Sequence, residues 1–186
     1  MSGPGQVSPE AEALAGARAA PKLEARYGGV LRDSAAEGRM QRIGRRLCVG
    51  SNELEGEYRY RLLDSEEVNA FSLPGGRVYI TRGLLERLDE DDMLAAVMAH
   101  EMAHIVAKDH LKPRCGNVAE ALERETNADK RAVTFLLAAG MSPEAMIHVI
   151  RAIEDVLPLG WSNSRIAAVA EIIDDARNAT TLAAAA

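Results

Sequence analysis

The residues most able to do chemistry sit in the run from Leu94 to Ile105, where His100, Glu101 and His104 follow one another as His-Glu-x-x-His. In a helix, positions four apart share a face, so the two imidazoles stand about one turn from each other. Two imidazoles at that spacing can hold one Zn²⁺ ion. Glu101 is rotated away from the ligands but stays beside the ion, where a carboxylate can act as a base on metal-activated water. Its neighbours sharpen the reading. Leu94, Val97, Met98, Glu101 and Ile105 lie at i, i+3, i+4, i+7 and i+11. Glu101 therefore fills a slot in an apolar stripe, where an unpaired carboxylate is costly. A polar cleft or a nearby dication explains it there; the alternative is a surface helix with two chance histidines.

A hydrolytic zinc site needs a third protein ligand and an open fourth position. Glu125 and Asp129 are again four apart on one helical segment. Glu125 can complete the ligand set. Asp129 can accept a hydrogen bond from a ligating imidazole and so fix its tautomer. His110 and His148 are rivals for the third position. His110 follows the expected helix end, and His148 sits in a Met-Ile-His-Val-Ile setting that suits packing.

These segments need elements to position them. Ser8-Pro9-Glu10 starts a helix that runs to about Tyr27, stopped by Gly28-Gly29. A second helix runs from about Asp33 to Gly50, with Ala36, Met40, Ile43 and Leu47 as its stripe. Residues 57–63, 68–71 and 78–81 read as strands, the last two joined by the Pro74-Gly75-Gly76 turn, in a small antiparallel sheet. Asp89 is expected to cap a helix reaching about Lys108. Further helices are expected over about 117–139, ended by Gly140, from Ser142-Pro143-Glu144 to a break at 158–160, and over about 164–177. The fold class is α+β, mostly helical. One domain spans 8–178, between a loose N-terminus (1–7) and a loose tail (179–186).

Composition narrows the function. The 186 residues are 47% hydrophobic but only 4% aromatic, which favours packed helices around a real core. Lys and Arg number 22 against 28 Asp and Glu, a net charge of −6 without a basic run, so nucleic acid is not an expected partner. The run Met93–Ala99 is far short of the roughly 20 apolar residues that cross a bilayer. The first ten residues lack the basic start and apolar run of a secretory signal. Cys48 and Cys115 leave open one bridge or two free thiols.

Asn69-Ala70-Phe71-Ser72-Leu73-Pro74-Gly75-Gly76, then Val78 to Leu85, His100 to His104, and Glu125 to Asp129 together resemble the HtpX / CAAX-prenyl-protease family of gluzincin zinc metallopeptidases, in its branch without membrane spans. The resemblance runs from about residue 30 to 166. It implies a zincin-like metallopeptidase fold, with the small antiparallel sheet and its hairpin beside the HExxH helix. It implies one zinc per chain on His100, His104 and Glu125, with Glu101 as catalytic base and Asp129 supporting a ligand. The 69–76 hairpin would border the cleft, so that Asn69, Ala70, Phe71, Gly75 and Gly76 bind a polypeptide substrate added as a β-strand. The Arg-Ile pair of the family matches Arg165-Ile166. The Ser/Thr-His-Pro segment that commonly precedes it is replaced here by a stretch without histidine. Arg165 would either bring positive charge to a developing oxyanion or form a structural salt bridge. The expected activity is zinc-dependent endopeptidase cleavage in cell-envelope protein quality control. The alternative is a peptide-binding, chaperone-like module with a non-catalytic zinc.

Overall fold

The computed structural model describes residues 7–156 and 160–184, with side chains described through residue 179. The expectations for residues 1–6 and 185–186, and for the 157–159 part of the helix break, lie outside these. Helix α1 (Pro9–Arg26) begins as expected: the Ser8 hydroxyl accepts from Ala11 N and Pro9 occupies the first turn. Helix α2 (Ser34–Gly50) is capped by the Asp33 carboxylate, which accepts from the amides of Ala35 and Ala36. Three strands follow, β1 (Arg59–Leu63), β2 (Ala70–Leu73) and β3 (Arg77–Thr81). Then come α3 (Arg82–Leu85), α4 (Asp91–Val106), α5 (Val118–Ala138), α6 (Ala145–Glu154) and α7 (Ser162–Ala184), with a short 3-10 turn at Asp109–Leu111.

The sheet departs from the expected antiparallel arrangement. Its order is β1-β3-β2. Strands β2 and β3 form the antiparallel hairpin, while β1 runs parallel to β3. The segment between β1 and β2 wraps over the end of β3 and is fastened there. The Thr81 hydroxyl lies 2.6 Å from Glu67 O and accepts from Asn69 N, and Gly83 N donates to Ser65 O. A Cβ on Gly83 would stand 2.1 Å from Glu66 O, so only glycine lets the segment pass this close. Strand β2 thereby comes to rest on the side of β3 away from β1.

Strand β3 is consequently buried on both faces. Val78 and Ile80 join the main core with α2 and α4, while Tyr79 packs with Ala20, Tyr27 and Leu63 beneath α1. That explains the unbroken apolar run Val78-Tyr79-Ile80. Helix α1 lies close on the hairpin: a Cβ on Gly16 would meet Pro74 O at 1.9 Å. Helix α4 is the centre of the molecule, packed against α2, α5, α6 and the sheet. Leu94 to Ala99 are all buried, and the small residues Ala95, Ala96, Ala99 and Ala103 admit close neighbours on every side. Its start differs from the expected Asp89 cap, because Glu90 takes that position without a side-chain bond. Asn117 caps α5 through Glu120 N, and Gly140 (φ 63°) ends it; α2 also reaches that end, with Arg46 donating to Ala139 O and Gly140 O. Helix α7 runs from Ser162 to Ala184, longer than its sequence pattern indicates.

Candidate metal centre and active site

Helix α4 delivers His100, Glu101 and His104, and the adjoining α5 delivers Glu125 and Asp129. The two helices pack on each other, and the small residues Ala103, Ala128 and Ala132 are buried in the core they share. His100 Nε2 lies 3.1 Å from His104 Nε2 and 3.3 Å from Glu125 Oε2; His104 Nε2 lies 3.6 Å from Glu125 Oε1. Ligand atoms at zinc distances of about 2.0–2.2 Å in a tetrahedron stand roughly 3.3–3.6 Å apart. These edges are close to that spacing, one ligand atom from each residue lies within 4.8 Å of the others, and the three residues are the one such group among the described residues.

The outer ring nitrogens are also engaged. His100 Nδ1 is 2.9 Å from Asp129 Oδ1, and Asp129 in turn accepts from Arg165 Nε (2.6 Å) and Nη2 (2.8 Å). His104 Nδ1 is 2.7 Å from Asp109 Oδ2. Both imidazoles are thereby suited to donate from Nδ1 and present Nε2 to an ion. Asp109 escapes sequence reasoning because it lies beyond the helix end, where helical spacing no longer relates it to His104.

The charges follow from burial and partners. Burial alone would depress the His100 imidazole, but the bonds and charges of Asp129 and Glu125 outweigh it and push it up to about 10. Burial raises the Glu125 carboxyl, yet its hydrogen bond to His100 and the charges of His100, His104 and Arg165 bring it down to about 2. Asp129 is likewise pulled below the usual carboxylate range by Arg165 and His100 despite its burial. His100 therefore carries a proton at neutral pH before metal binds, and a ligating imidazole must lose it. Zinc uptake by the metal-free protein at pH 7 is expected to release that proton. Apparent affinity should rise with pH, by roughly tenfold per unit, up to the His100 pKa. Calorimetry in two buffers of different ionisation enthalpy measures the release; equal heats in both would contradict it.

The donors open on a cavity of about 380 Å³. Its polar end holds His100, Glu101, His104, Glu125 and Arg165. Its other end is apolar, with Val97 from α4 and Met146, Val149, Ile150 and Ile153 from α6. Glu101 is 8% exposed, and no described group hydrogen-bonds or ion-pairs with its carboxylate. Asn69, Ala70 and Phe71 line this cavity together with Ser72. Gly75 and Gly76 do not. They turn the hairpin at φ 74° and 76° against α1, where a Cβ on Gly75 would meet the Ala13 backbone at 2.5 Å. The tight turn that drew attention to them serves packing. Among the described residues His110 and His148 are also away from the cavity: His110 faces Glu12 of α1, and His148 is exposed on α6. Arg165 borders the cavity with its guanidinium committed to Asp129 and 3.8 Å from Glu125 Oε2. Cys48 and Cys115 are both free thiols. No helix among the described residues is long and apolar enough to cross a membrane.

A central helix bearing His-Glu-x-x-His, a glutamate from the next helix and an edge strand along the cleft define a metallopeptidase-type domain. Residues 34–122 match the model of peptidase family M48. It is 31% identical over 107 residues to the beta-barrel assembly-enhancing protease of Escherichia coli O157:H7, covering 55% of this chain and 20% of that one. To the mitochondrial metalloendopeptidase OMA1 of Schizosaccharomyces pombe it is 36% identical over 69 residues, 37% of this chain and 20% of that one. The chain thus spans about a fifth of the length of these curated relatives. Glu125 and Asp129 fall just past the residues matched to the family model, and their place in the site rests on geometry.

Proposed function

We propose that this chain is a zinc-dependent endopeptidase domain, spanning about residues 8–178, that hydrolyses peptide bonds. The observation that carries the reading is the juxtaposition of three donors, whose ligand atoms lie within 4.8 Å of one another, with the carboxylate of Glu101, a buried residue without a partner among the described residues, in the same cavity. His100, His104 and Glu125 would hold the ion, which when bound supplies Lewis acidity and lowers the pKa of a coordinated water toward about 7. Glu101 takes a proton from the attacking water and later gives it to the leaving amine. Asp129 and its partner Arg165 hold the His100 ring; Arg165 adds positive charge at the polar end of the cavity.

Substrate backbone has a natural berth. Strand β2 is an edge of the sheet. Thr81 N donates to Asn69 O, so in the antiparallel ladder Phe71 and Leu73 also bond inward to β3, and the backbone groups of Ala70 and Ser72 face the open side. A peptide laid there as a fourth strand would run past the donors. The proposal extends to protein quality control in a cell envelope, a role in keeping with likeness to a protease named for enhancing beta-barrel assembly.

The test is cleavage of unfolded casein by the purified chain. Turnover should vanish with a zinc chelator and return on adding zinc. Zinc uptake without chelator-sensitive cleavage of any unfolded substrate would favour the chaperone-like module, a reading consistent with the absence of a histidine in residues 160–164.

A further inference from the structure

The carboxylate on His104 is not among the residues that sequence spacing brings forward, and its arrangement repeats that around His100. There, ring, carboxylate and cation follow one another as His100–Asp129–Arg165. On the other side stand His104, Asp109 and Lys112: His104 Nδ1 to Asp109 Oδ2 is 2.7 Å, and Lys112 Nζ donates to Asp109 Oδ1 at 2.6 Å. The Asp109 side chain is only 10% exposed, although it belongs to a short turn after a helix.

The backbone is bent to put it there. Lys108 has φ 53° and ψ 38°, and it alone among the described non-glycine residues has a positive φ. A left-handed residue is uncommon where a side chain is present. Here it turns the chain back at the end of α4, so that the next residue points at the α4 histidine. Lys108 is secured in turn by Glu12 of α1, which accepts from its ammonium at 2.5 Å. An irregular backbone at the point where a buried carboxylate meets a candidate ligand is better explained by that contact than by helix termination, for which glycine or asparagine would suffice.

We propose that Asp109 is the positioning residue of His104. Its carboxylate keeps the ring protonated at Nδ1 and turned so that Nε2 faces the ion, while Lys112 steadies the carboxylate from the rim. This deepens the zinc peptidase reading and rests on it. Removing such a partner lowers metal affinity by about 10–100-fold. Lys112 is half exposed, so its loss should change affinity by less than about threefold.

The experiment uses the whole chain and zinc itself, with affinity read by competition against a chelating dye. Asp109→Ala should weaken zinc binding about 10–100-fold while the metal-free protein melts nearly where the parent does. Asp109→Asn, which keeps an acceptor oxygen without the charge, should fall between the two and guards against an alanine variant that does not fold. In ¹⁵N-resolved spectra of the zinc-loaded protein, a solvent-protected His104 Nδ1 proton should be present in the parent and in Asp109→Asn, and absent in Asp109→Ala. Unchanged zinc affinity in both variants would overturn the proposal, as would a purely structural outcome: lower metal-free melting with affinity intact. A parent chain that takes up no zinc would overturn this proposal together with the peptidase reading. A parent that binds zinc but cleaves nothing would overturn the peptidase reading alone.

Discussion

Glu101→Gln should lower kcat/KM for a peptide or casein substrate by about 10²–10⁴-fold, the usual worth of a positioned general base, or roughly 3–5 kcal/mol of transition-state stabilisation. The substitution keeps the shape of the side chain and removes only its basicity. Zinc content should stay at one per chain, because none of the three grouped donor atoms belongs to Glu101. A second readout makes the prediction sharper. Glu101 occupies an apolar slot of the most buried helix, is 8% exposed and has no described partner. A carboxylate in that setting works against the fold, so the neutral amide should leave the metal-free protein at least as stable as the parent. Activity lost with stability held or raised is the mark of a residue kept for chemistry. Undiminished turnover in the variant would refute Glu101 as the base. A lower melting temperature would show that the carboxylate has a structural partner instead.

The second large effect concerns Asp129, which is fully buried and accepts from Arg165 twice and from His100 once. Asp129→Ala would take both close carboxylate contacts from a guanidinium that is only 15% exposed, leaving Glu125 at 3.8 Å. Breaking a buried pair from one side costs about 3–5 kcal/mol, because the orphaned charge stays desolvated. That is a large share of the roughly 5–15 kcal/mol that holds a domain folded. Chemical denaturation of the metal-free protein measures it. Zinc affinity should fall as well, by about 10–100-fold, since His100 loses the acceptor that orients it. The double variant Asp129→Leu with Arg165→Met separates the two roles. Removing both charges should recover most of the stability, while zinc affinity stays low. A stability loss below about 1 kcal/mol in Asp129→Ala would place the pair in the class of exposed ion pairs and contradict the burial argument.

Part of the site is grouped locally, within single helices. His100, Glu101 and His104 could be related to one another from the chain alone, and so could Glu125 and Asp129. A helix fixes the direction of each side chain from its position in the turn, whatever surrounds it. Apolar periodicity likewise marked α4 as a packed helix, and the Pro-Gly-Gly turn marked the β2–β3 hairpin. The need for a third ligand and the family resemblance joined Glu125 to the two histidines; the other relations between segments required the folded chain. Nothing in residues 59–63 says whether they run parallel or antiparallel to 77–81. That choice was made by the 64–69 segment crossing the end of β3, fastened by Thr81 and by the missing Cβ of Gly83. Gly75 and Gly76 carry the same turn chemistry whether a hairpin tip borders a cleft or lies under a helix, and the packing of α1 decided for the helix. Asp109 came within reach of His104 only because Lys108 reverses the backbone at the end of α4. Spacing along a regular helix is written in the order of residues. Contacts made across a turn depend on backbone angles that the whole fold must hold in place.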